Sequence, residues 1–268
     1  ATRFACWRNK DMIKAAFFDV DGTLLSHKTR KVCQSTYDAI AALQEKGILC
    51  VVATGRQITA MDKLPVGVIP FDAYLTVNGQ MLHDKERKLI FGVPIEGKCK
   101  EFLIQSFRDH TYPALMVEED RMYVNYISDH VIDVQEAIST AMPEVAEYTG
   151  ADIYQVCAYL RPEEECLLDP IAEDSVLTRW TYGGMDVIAK GGGKMKGIQR
   201  YLEMKGIKAE ETIAFGDAEN DLEMLKFAGI GVAMGNGEEQ VKAQADYVTA
   251  DVDDDGIAKA LRHFGLIE

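Results

Sequence analysis

Residues 13–25 read IKAAFFDVDGTLL. The apolar run Ile13–Val20 contains one aspartate, Asp19, and a second, Asp21, precedes Gly22. Such a run, bounded by acidic residues and a glycine, predicts a buried parallel strand followed by a tight turn. Ligands of open parallel sheets bind at the carboxyl ends of the strands, so both aspartates lie where a site is expected. Gly22 would let backbone N–H groups turn inward as an anion-binding nest, although D-x-D at a strand end is also a common turn or cap pattern.

The first 80 residues alternate predicted strands and helices. After the first strand, apolar residues at helical spacing predict a helix over 33–46, with Gly47 as its C-cap. Two further apolar runs predict buried strands at Ile48–Ala53 and Asp72–Val77. This alternation predicts a parallel sheet with helices on its faces.

The pattern changes between residues 84 and 186. Helices are predicted over 96–110, 130–141 and 162–173. Strands are predicted at Leu89–Ile95, Ala114–Val117, Met122–Tyr126, Ile153–Leu160, Ser175–Thr181 and Met185–Ala189. A helix followed by a hairpin occurs twice, which indicates an α+β insertion built from two similar halves.

The strand and helix alternation then resumes. Helices are predicted at Lys196–Lys205, Asp221–Ala228, Val241–Ala245 and 256–263, and strands at Thr212–Phe215, Ile230–Met234 and Tyr247–Thr249. The predicted fold class is therefore α/β, a doubly wound, Rossmann-like parallel-sheet core with an inserted α+β cap domain. The core would comprise 12–83 and 187–268, and the cap, a substrate lid, 84–186. Met12 is a candidate start, which would make residues 1–11 an extension, although a short ordered arm is the alternative.

Composition limits the classes of function. The 268 residues carry a net charge of −14, with 47% hydrophobic and 27% charged residues, as in globular proteins. This charge disfavours a nucleic-acid partner, and an anionic substrate would need local cations and a metal. No apolar run reaches the ~20 residues of a membrane span. The six cysteines form no C-x-x-C pair, which favours free thiols and a cytoplasmic location.

Four motifs along the chain resemble those of the haloacid dehalogenase (HAD) superfamily. The segment FDVDGTLL resembles its nucleophile motif, and VVATGR, AKGGGKMKG and GDAEND resemble its other three motifs in order. The residues that match the later motifs are Thr54, Lys194, Asp217, Asn220 and Asp221. The resemblance spans residues 13–268, and Lys190 and Lys196 compete with Lys194 for the lysine position.

Two further features resemble one subgroup of this superfamily. An insertion after TVNG has the position and approximate size of the family's type-IIB cap, and the ending GIGVAMGN…VKAQADYVTADVDDDGIAKAL is similar to that of Cof-like sugar-phosphate phosphatases. The resemblance implies a phosphatase of small phosphorylated metabolites, often hexose phosphates.

The resemblance also implies roles for the acidic residues. Asp19 would attack phosphorus and form an aspartyl-phosphate, and Asp21 would serve as general acid and base. Mg²⁺ prefers oxygen ligands. The metal would bind the carboxylates of Asp19 and Asp217 and the backbone carbonyl of Asp21. Asp221 or Asn220 would either bind the metal directly or contact one of its direct ligands.

Other residues are expected to hold the phosphate. These candidates are Thr54, Lys194, Gly22 and Gly55. Without its motif, Thr54 would be a helix N-cap or turn residue. Arg56 and Asn78 are candidate substrate contacts, and Arg56 could instead be a structural ion-pair partner.

Three functions are compatible with these residues. The first is a phosphatase of small phosphate monoesters, the second is a sugar-phosphate phosphomutase, and the third is a non-catalytic binding protein on the same fold. The intact set of motif residues argues against the third. A monomer is expected, because the cap would already cover the active-site face.

Overall fold

The computed structural model describes residues 13–138 and 140–268. The chain divides into two compact units. Among the described residues, the core unit comprises 13–91 together with Lys194–Glu268, and the inserted unit comprises Gly92–Gly193. The predicted boundaries, after residues 83 and 186, both lie earlier in the sequence than these. Met12 and Cys6 lie outside the described residues.

Strands and helices alternate through both units. The strands in the described residues are β1 (Ala15–Phe18), β2 (Leu49–Ala53), β3 (Ala73–Thr76), β4 (Met81–Asp84), β5 (Leu89–Gly92), β6 (Ala114–Val117), β7 (Met122–Val124), β8 (Glu144–Val145), β9 (Gln155–Ala158), β10 (Ser175–Thr181), β11 (Gly184–Ala189), β12 (Thr212–Gly216), β13 (Ile230–Ala233) and β14 (Tyr247–Val248). The α-helices are α1 (Gln34–Glu45), α2 (Ile58–Met61), α3 (Gly97–Arg108), α4 (Asp129–Ala137), α5 (Lys194–Lys205), α6 (Leu222–Phe227), α7 (Glu239–Lys242) and α8 (Gly256–His263). In these residues no helix is both long and apolar enough to cross a bilayer.

The core unit is built on an eight-stranded sheet with the order β14-β13-β12-β1-β2-β3-β4-β5. Strands β14 to β3 pair in parallel, and β4 runs antiparallel to β3. β1 lies between β2 and β12, with Ala15 opposite both Leu49 and Thr212. The chain therefore places the end of β1 at the centre of the sheet edge where parallel strands end.

Both faces of β1 are covered, which explains its unbroken apolar sequence AAFF. Phe18 stacks on Phe215 with ring centroids 5.2 Å apart, in the cluster that includes α1 and α8 residues. Phe17 faces the opposite cluster and meets the ring of Tyr201 of α5 edge-on at 6.1 Å. Each fully buried Phe side chain stabilises the fold by about 2–3 kcal/mol, so the strand that carries Asp19 is firmly held.

The inserted unit has its own six-stranded sheet, with the order β10-β11-β9-β6-β7-β8, and its own apolar cluster. The predicted hairpin is confirmed, because β6 and β7 pair antiparallel. β10 and β11 form a second hairpin, preceded by a helix as α3 precedes the first. This second helix, Pro162–Ile171, is 3₁₀ rather than α and contains Pro170, which has no N–H to donate to an α-helical ladder.

Several elements differ from the sequence predictions. The predictions omitted α2, the 3₁₀ helix Pro65–Val68, β4 and β8, all of four residues or fewer. The helix predicted from Lys196 begins at Lys194, and the one predicted from Asp221 begins as the 3₁₀ turn Glu219–Asp221. β4 extends the core sheet beside β3, which moves the unit boundary beyond residue 83.

Candidate active site

Asp19 immediately follows β1 at the carboxyl edge of the core sheet. Its backbone N–H donates to the carbonyl of Phe215 at 3.0 Å, so the ladder with β12 continues to the residue itself. Its side chain is buried, with only 6% of the residue exposed. A carboxylate in this position needs a cationic partner, because burying an unpaired charge is costly.

Lys194 supplies that charge from the first residue of α5. Its Nζ donates to Oδ1 of Asp19 at 2.5 Å and to Oδ1 of Asp221 at 2.7 Å. Burial alone would lower the pKa of Lys194, but the two carboxylates outweigh burial and raise it. Lys196, a competitor in the sequence prediction, contacts Gln199 instead, and Lys190 is exposed.

Asp217 and Asp221 come from the loop after β12. One oxygen of Asp221 accepts from the backbone N–H groups of Asp217 and Ala218, at 2.9 and 3.1 Å, while the other contacts Lys194. The hydroxyl of Thr23 donates to Oδ1 of Asp217 at 3.1 Å. Asp217 is therefore oriented by a neutral hydroxyl, and Asp221 by two backbone N–H groups together with the Lys194 ammonium.

The carboxylates of Asp19, Asp217 and Asp221 each offer an oxygen within 4.8 Å of the others. The pKa of Asp19 is raised well above its ordinary value by burial, partly offset by Lys194 and reinforced by Asp221, Asp217 and Asp21. Burial and Asp221 raise the pKa of Asp217 to about 7. One ammonium therefore faces three carboxylates, a set of hard oxygen donors with uncompensated charge that suits Mg²⁺.

Asp21 points to a different partner. Arg56 donates from Nε to Oδ2 of Asp21 at 2.6 Å and from its terminal nitrogen to Oδ1 at 2.7 Å. Burial would lower the pKa of Arg56, but the hydrogen bonds and charge of Asp21 raise it. The prediction for Arg56 left open a substrate contact or an ion pair, and the structure places it in an ion pair with Asp21.

The loops after β2 and β3 are joined by backbone hydrogen bonds. The N–H of Asn78 donates to the carbonyl of Thr54 at 2.9 Å, and that of Val77 donates to the carbonyl of Arg56 at 3.0 Å. Val77 and Asn78 have φ values of 52° and 51°, a left-handed conformation that is strained for a β-branched residue. The hydroxyl of Thr54 accepts from the backbone N–H of Arg56 at 3.1 Å.

The predicted phosphate-binding glycines have structural partners. The N–H of Gly22 donates to the carbonyl of Leu25 at 2.8 Å. The anion-binding nest of backbone N–H groups around Gly22 stays a prediction. Gly22 has φ +80°, and a Cβ there would collide with the Asp217 carboxylate; glycine is required for this close approach. At Gly55 a Cβ would lie 3.2 Å from Oδ1 of Asn78.

Asn220 was predicted beside the metal. Its amide nitrogen donates to Oδ1 of Asn78 at 3.2 Å, which links the loops after β12 and β3. The structure thus brings Asp19, Lys194, Asp217 and Asp221 into one cluster. Arg56 with Asp21 and Asn220 with Asn78 form separate contacts.

Two residues of the site are not apparent from the sequence. Asn236 donates to the carbonyl of Gly22 at 2.7 Å and accepts from the N–H of Val252 at 2.8 Å, so it joins the turn after β1 to the segment between β14 and α8. Nothing in the local sequence marks this role. Thr23 lies within the quoted D-x-D-G-T-L motif, and that motif could have drawn attention to it.

The fold and this grouping of charges define a protein of the doubly wound α/β class, in which a buried carboxylate after the central strand pairs with a lysine from a neighbouring helix. The family described as haloacid dehalogenase-like hydrolase matches residues 16–261. The chain belongs to this family, as the sequence motifs predicted.

Several solved structures and curated proteins that are similar to the chain are described as phosphatases. BT1666 from Bacteroides thetaiotaomicron, described among HAD phosphatases, is 34% identical, with a TM-score of 0.88 over 97% of this chain and 98% of that one. BT4131, a HAD subclass IIB sugar phosphatase, is 36% identical, with a TM-score of 0.83 over 95% of this chain and 100% of that one. Pyridoxal phosphate phosphatase YbhA of Escherichia coli (strain K12) is 29% identical, over 90% of this chain and 94% of that protein.

Proposed function

We propose that this protein is a Mg²⁺-dependent phosphatase that hydrolyses small phosphorylated metabolites, most of them sugar phosphates, through a phosphorylated Asp19. The observation that carries the proposal is the Asp19 carboxylate, buried at the end of β1 and bonded to Lys194 within a group of two further carboxylates. Similar proteins include a sugar phosphatase and a pyridoxal phosphate phosphatase. Because their substrates differ, the similarity supports the reaction more strongly than any one substrate.

In the first half of the reaction, Asp19 acts as the nucleophile. A carboxylate oxygen attacks phosphorus in line, the bond to the leaving oxygen breaks, and the phosphoryl group becomes an acyl phosphate. Lys194 holds the Asp19 carboxylate in one orientation and offsets part of the charge that an approaching phosphate adds. Thr54 and the backbone of Gly55, in the loop after β2, would contribute phosphate contacts.

In the second half, water attacks the phosphorus of the acyl phosphate. Asp21 accepts the proton of that water, Asp19 leaves as a carboxylate, and inorganic phosphate is released. In the first half the same carboxyl group would protonate the leaving oxygen. Asp21 therefore acts as acid and then as base, while Asp19 carries the phosphoryl group.

The three-carboxylate group would hold the metal. Asp19 and Asp217 would be ligands with the backbone carbonyl of Asp21, and Asp221, already bonded to Lys194, would bind directly or orient the ligand loop. Bound Mg²⁺ would offset the repulsion between an anionic nucleophile and an anionic substrate. Asn220, whose amide nitrogen is engaged with Asn78, would act by fixing that loop.

The remaining proposals concern substrate access and context. The inserted unit would serve as the substrate lid and provide the contacts to the leaving group. Free thiols at the five described cysteines support a cytoplasmic location, and the net charge of −14 argues against a nucleic-acid substrate. We propose a monomer that acts on soluble phosphate monoesters.

The test is release of inorganic phosphate. Wild-type protein with Mg²⁺ should hydrolyse p-nitrophenyl phosphate, and a panel of phosphorylated sugars, nucleotides and cofactors would then rank the substrates. Asp19→Asn should abolish turnover. The control is Asp38→Asn, which replaces an exposed carboxylate of α1 and should leave turnover intact. Removal of Mg²⁺ with EDTA should reduce it reversibly.

The alternatives predict other results. A phosphomutase would yield isomerised sugar phosphate without stoichiometric free phosphate. A non-catalytic binding protein would bind ligands and give no turnover with any member of the panel. Turnover that survives Asp19→Asn would refute the assignment of the nucleophile.

A further inference from the structure

Arg56 and Asp21 form a bidentate ion pair. The guanidinium donates to both carboxylate oxygens, at 2.6 and 2.7 Å, and both side chains are mostly buried, 24% and 30% exposed. Parallel donation of this kind fixes the plane and direction of a carboxylate as well as its position. Without Arg56, the Asp21 side chain could rotate about its own bonds.

Backbone hydrogen bonds of Arg56 fix the position from which its side chain extends. The N–H of Arg56 donates to the Thr54 hydroxyl, and its carbonyl accepts from the N–H of Val77. Val77 stays in a strained left-handed conformation, which persists only where surrounding contacts enforce it. The loops after β2 and β3 therefore fix Arg56, and Arg56 in turn fixes Asp21.

We propose that Arg56 is a positioning residue for Asp21, and that it contributes chiefly to breakdown of the phosphorylated enzyme. The inference rests on the proposed function. A guanidinium keeps a carboxylate ionised and oriented but weakens it as a base, so Asp21 can accept a proton from water only once one oxygen is released from Arg56 while the other stays bonded. The attacking water then forms its bond to phosphorus, its proton passes to the released oxygen, and the bond between phosphorus and Asp19 breaks.

This role differs from direct contact with the substrate phosphate. A phosphate-binding arginine contributes to substrate affinity, so its loss would raise KM. A residue that acts through Asp21 on breakdown of the phosphorylated enzyme contributes to a step after the covalent intermediate, so its loss would lower kcat and KM together and leave kcat/KM nearly unchanged. A displacement of about 1 Å in a catalytic group can cost about 100-fold in rate.

p-Nitrophenyl phosphate separates the two half-reactions. Its phenolate is a good leaving group that needs little protonation, so transfer to Asp19 should proceed without a well-placed Asp21. In Arg56→Met, rapid-mixing measurements should show a burst of about one p-nitrophenol per enzyme, followed by turnover about 100-fold slower than wild type. KM should fall with kcat, so that kcat/KM changes less than about threefold. Arg56→Lys, which can hold one oxygen, should recover about a tenth of the wild-type rate.

Arg87→Met is the matched control. Arg87 also pairs with an aspartate of the core unit, Asp62, but lies beyond β4, which runs antiparallel to β3 and ends beside its first residue. Arg87 is thus at the opposite sheet edge from Asp19, and this variant should retain wild-type turnover without a new burst.

The outcomes are distinct. A raised KM with unchanged kcat would identify Arg56 as a substrate contact and overturn the proposal, as would slow turnover without a burst in both Arg56 variants. Unchanged kinetics in both would overturn it as well. If wild-type protein itself gives no phosphate and no phosphorylated Asp19, the proposed function fails rather than the role of Arg56.

Discussion

Replacement of Lys194 by Met removes one ammonium from a buried group and leaves a side chain of similar length. In the native protein the lysine side chain is 1% exposed, and its partners Asp19 and Asp221 are 8% and 0% exposed. Removing one partner of a buried ion pair costs about 3–5 kcal/mol, because the remaining charge is unpaired. For a chain of this size that loss corresponds to a decrease in Tm of roughly 10 °C.

The deficit should depend on pH. Lys194 lowers the pKa of Asp19, so its removal raises that pKa further. A carboxyl group whose pKa is higher in the folded state stabilises the fold fully below its unfolded pKa, here 3.8. That stabilisation is lost as pH rises through the folded pKa. The difference between wild type and Lys194→Met should therefore be small near pH 5 and largest near pH 8.

Urea unfolding with EDTA at pH 5, 6.5 and 8 measures this difference. Lys196→Met on the same helix is the control, because Lys196 contacts only Gln199, at 3.4 Å, in the hydrogen bonds described. It should change the free energy of unfolding by less than about 0.5 kcal/mol. An equal loss in both variants, or a deficit for Lys194→Met that shrinks as pH rises, would refute the electrostatic reasoning.

Three further predictions concern the same edge of the sheet. Because burial and Asp221 raise the pKa of Asp217 to about 7 and metals bind the carboxylate form, Mg²⁺ affinity measured by calorimetry should increase from pH 6 to pH 8; a constant affinity would contradict this. Gly22→Ala should lower the free energy of unfolding by at least about 2 kcal/mol, because it adds strain at φ +80° and a collision with Asp217. Normal stability together with normal Mg²⁺ binding would contradict the close approach of Gly22 and Asp217. Asn236→Ala should cost about 1–3 kcal/mol in urea unfolding, since it leaves the carbonyl of Gly22 and the N–H of Val252 without this partner; an unchanged midpoint would rule out that contribution.

The sequence predicts the parts of the fold where apolar runs are long and regularly bounded. α1 was predicted over 33–46 because Tyr37, Ile40, Ala41 and Leu43 follow helical spacing, and Ile40 and Leu43 are indeed buried. The helix ends at Glu45, with Lys46 as its C-cap and Gly47 following at φ +77°. β4 was missed, because the four residues MLHD show neither clear alternation nor a long apolar run.

The members of the site could be predicted, whereas their contacts could not. Strand ends and motif order identified Asp19, Asp217 and Lys194, because parallel strands direct their carboxyl ends to one edge. The pairing of Arg56 with Asp21 depends on the loops after β2 and β3, which are joined by backbone hydrogen bonds through a left-handed Val77. Backbone conformation of that kind carries no signature in residue type, since Val is among the residues that avoid it.

The ion pair between Asp19 and Lys194 joins positions 175 residues apart, and β1 needs β12 as a neighbour. A chain emerging from the ribosome would therefore complete the inserted unit while β1 still had an unpaired edge, a surface prone to wrong association. Metal binding and turnover would appear only when nearly the whole polypeptide had been made. Fragments truncated before α5 would lack Lys194 and the carboxylates of Asp217 and Asp221, so an incompletely synthesised chain would have no catalytic activity.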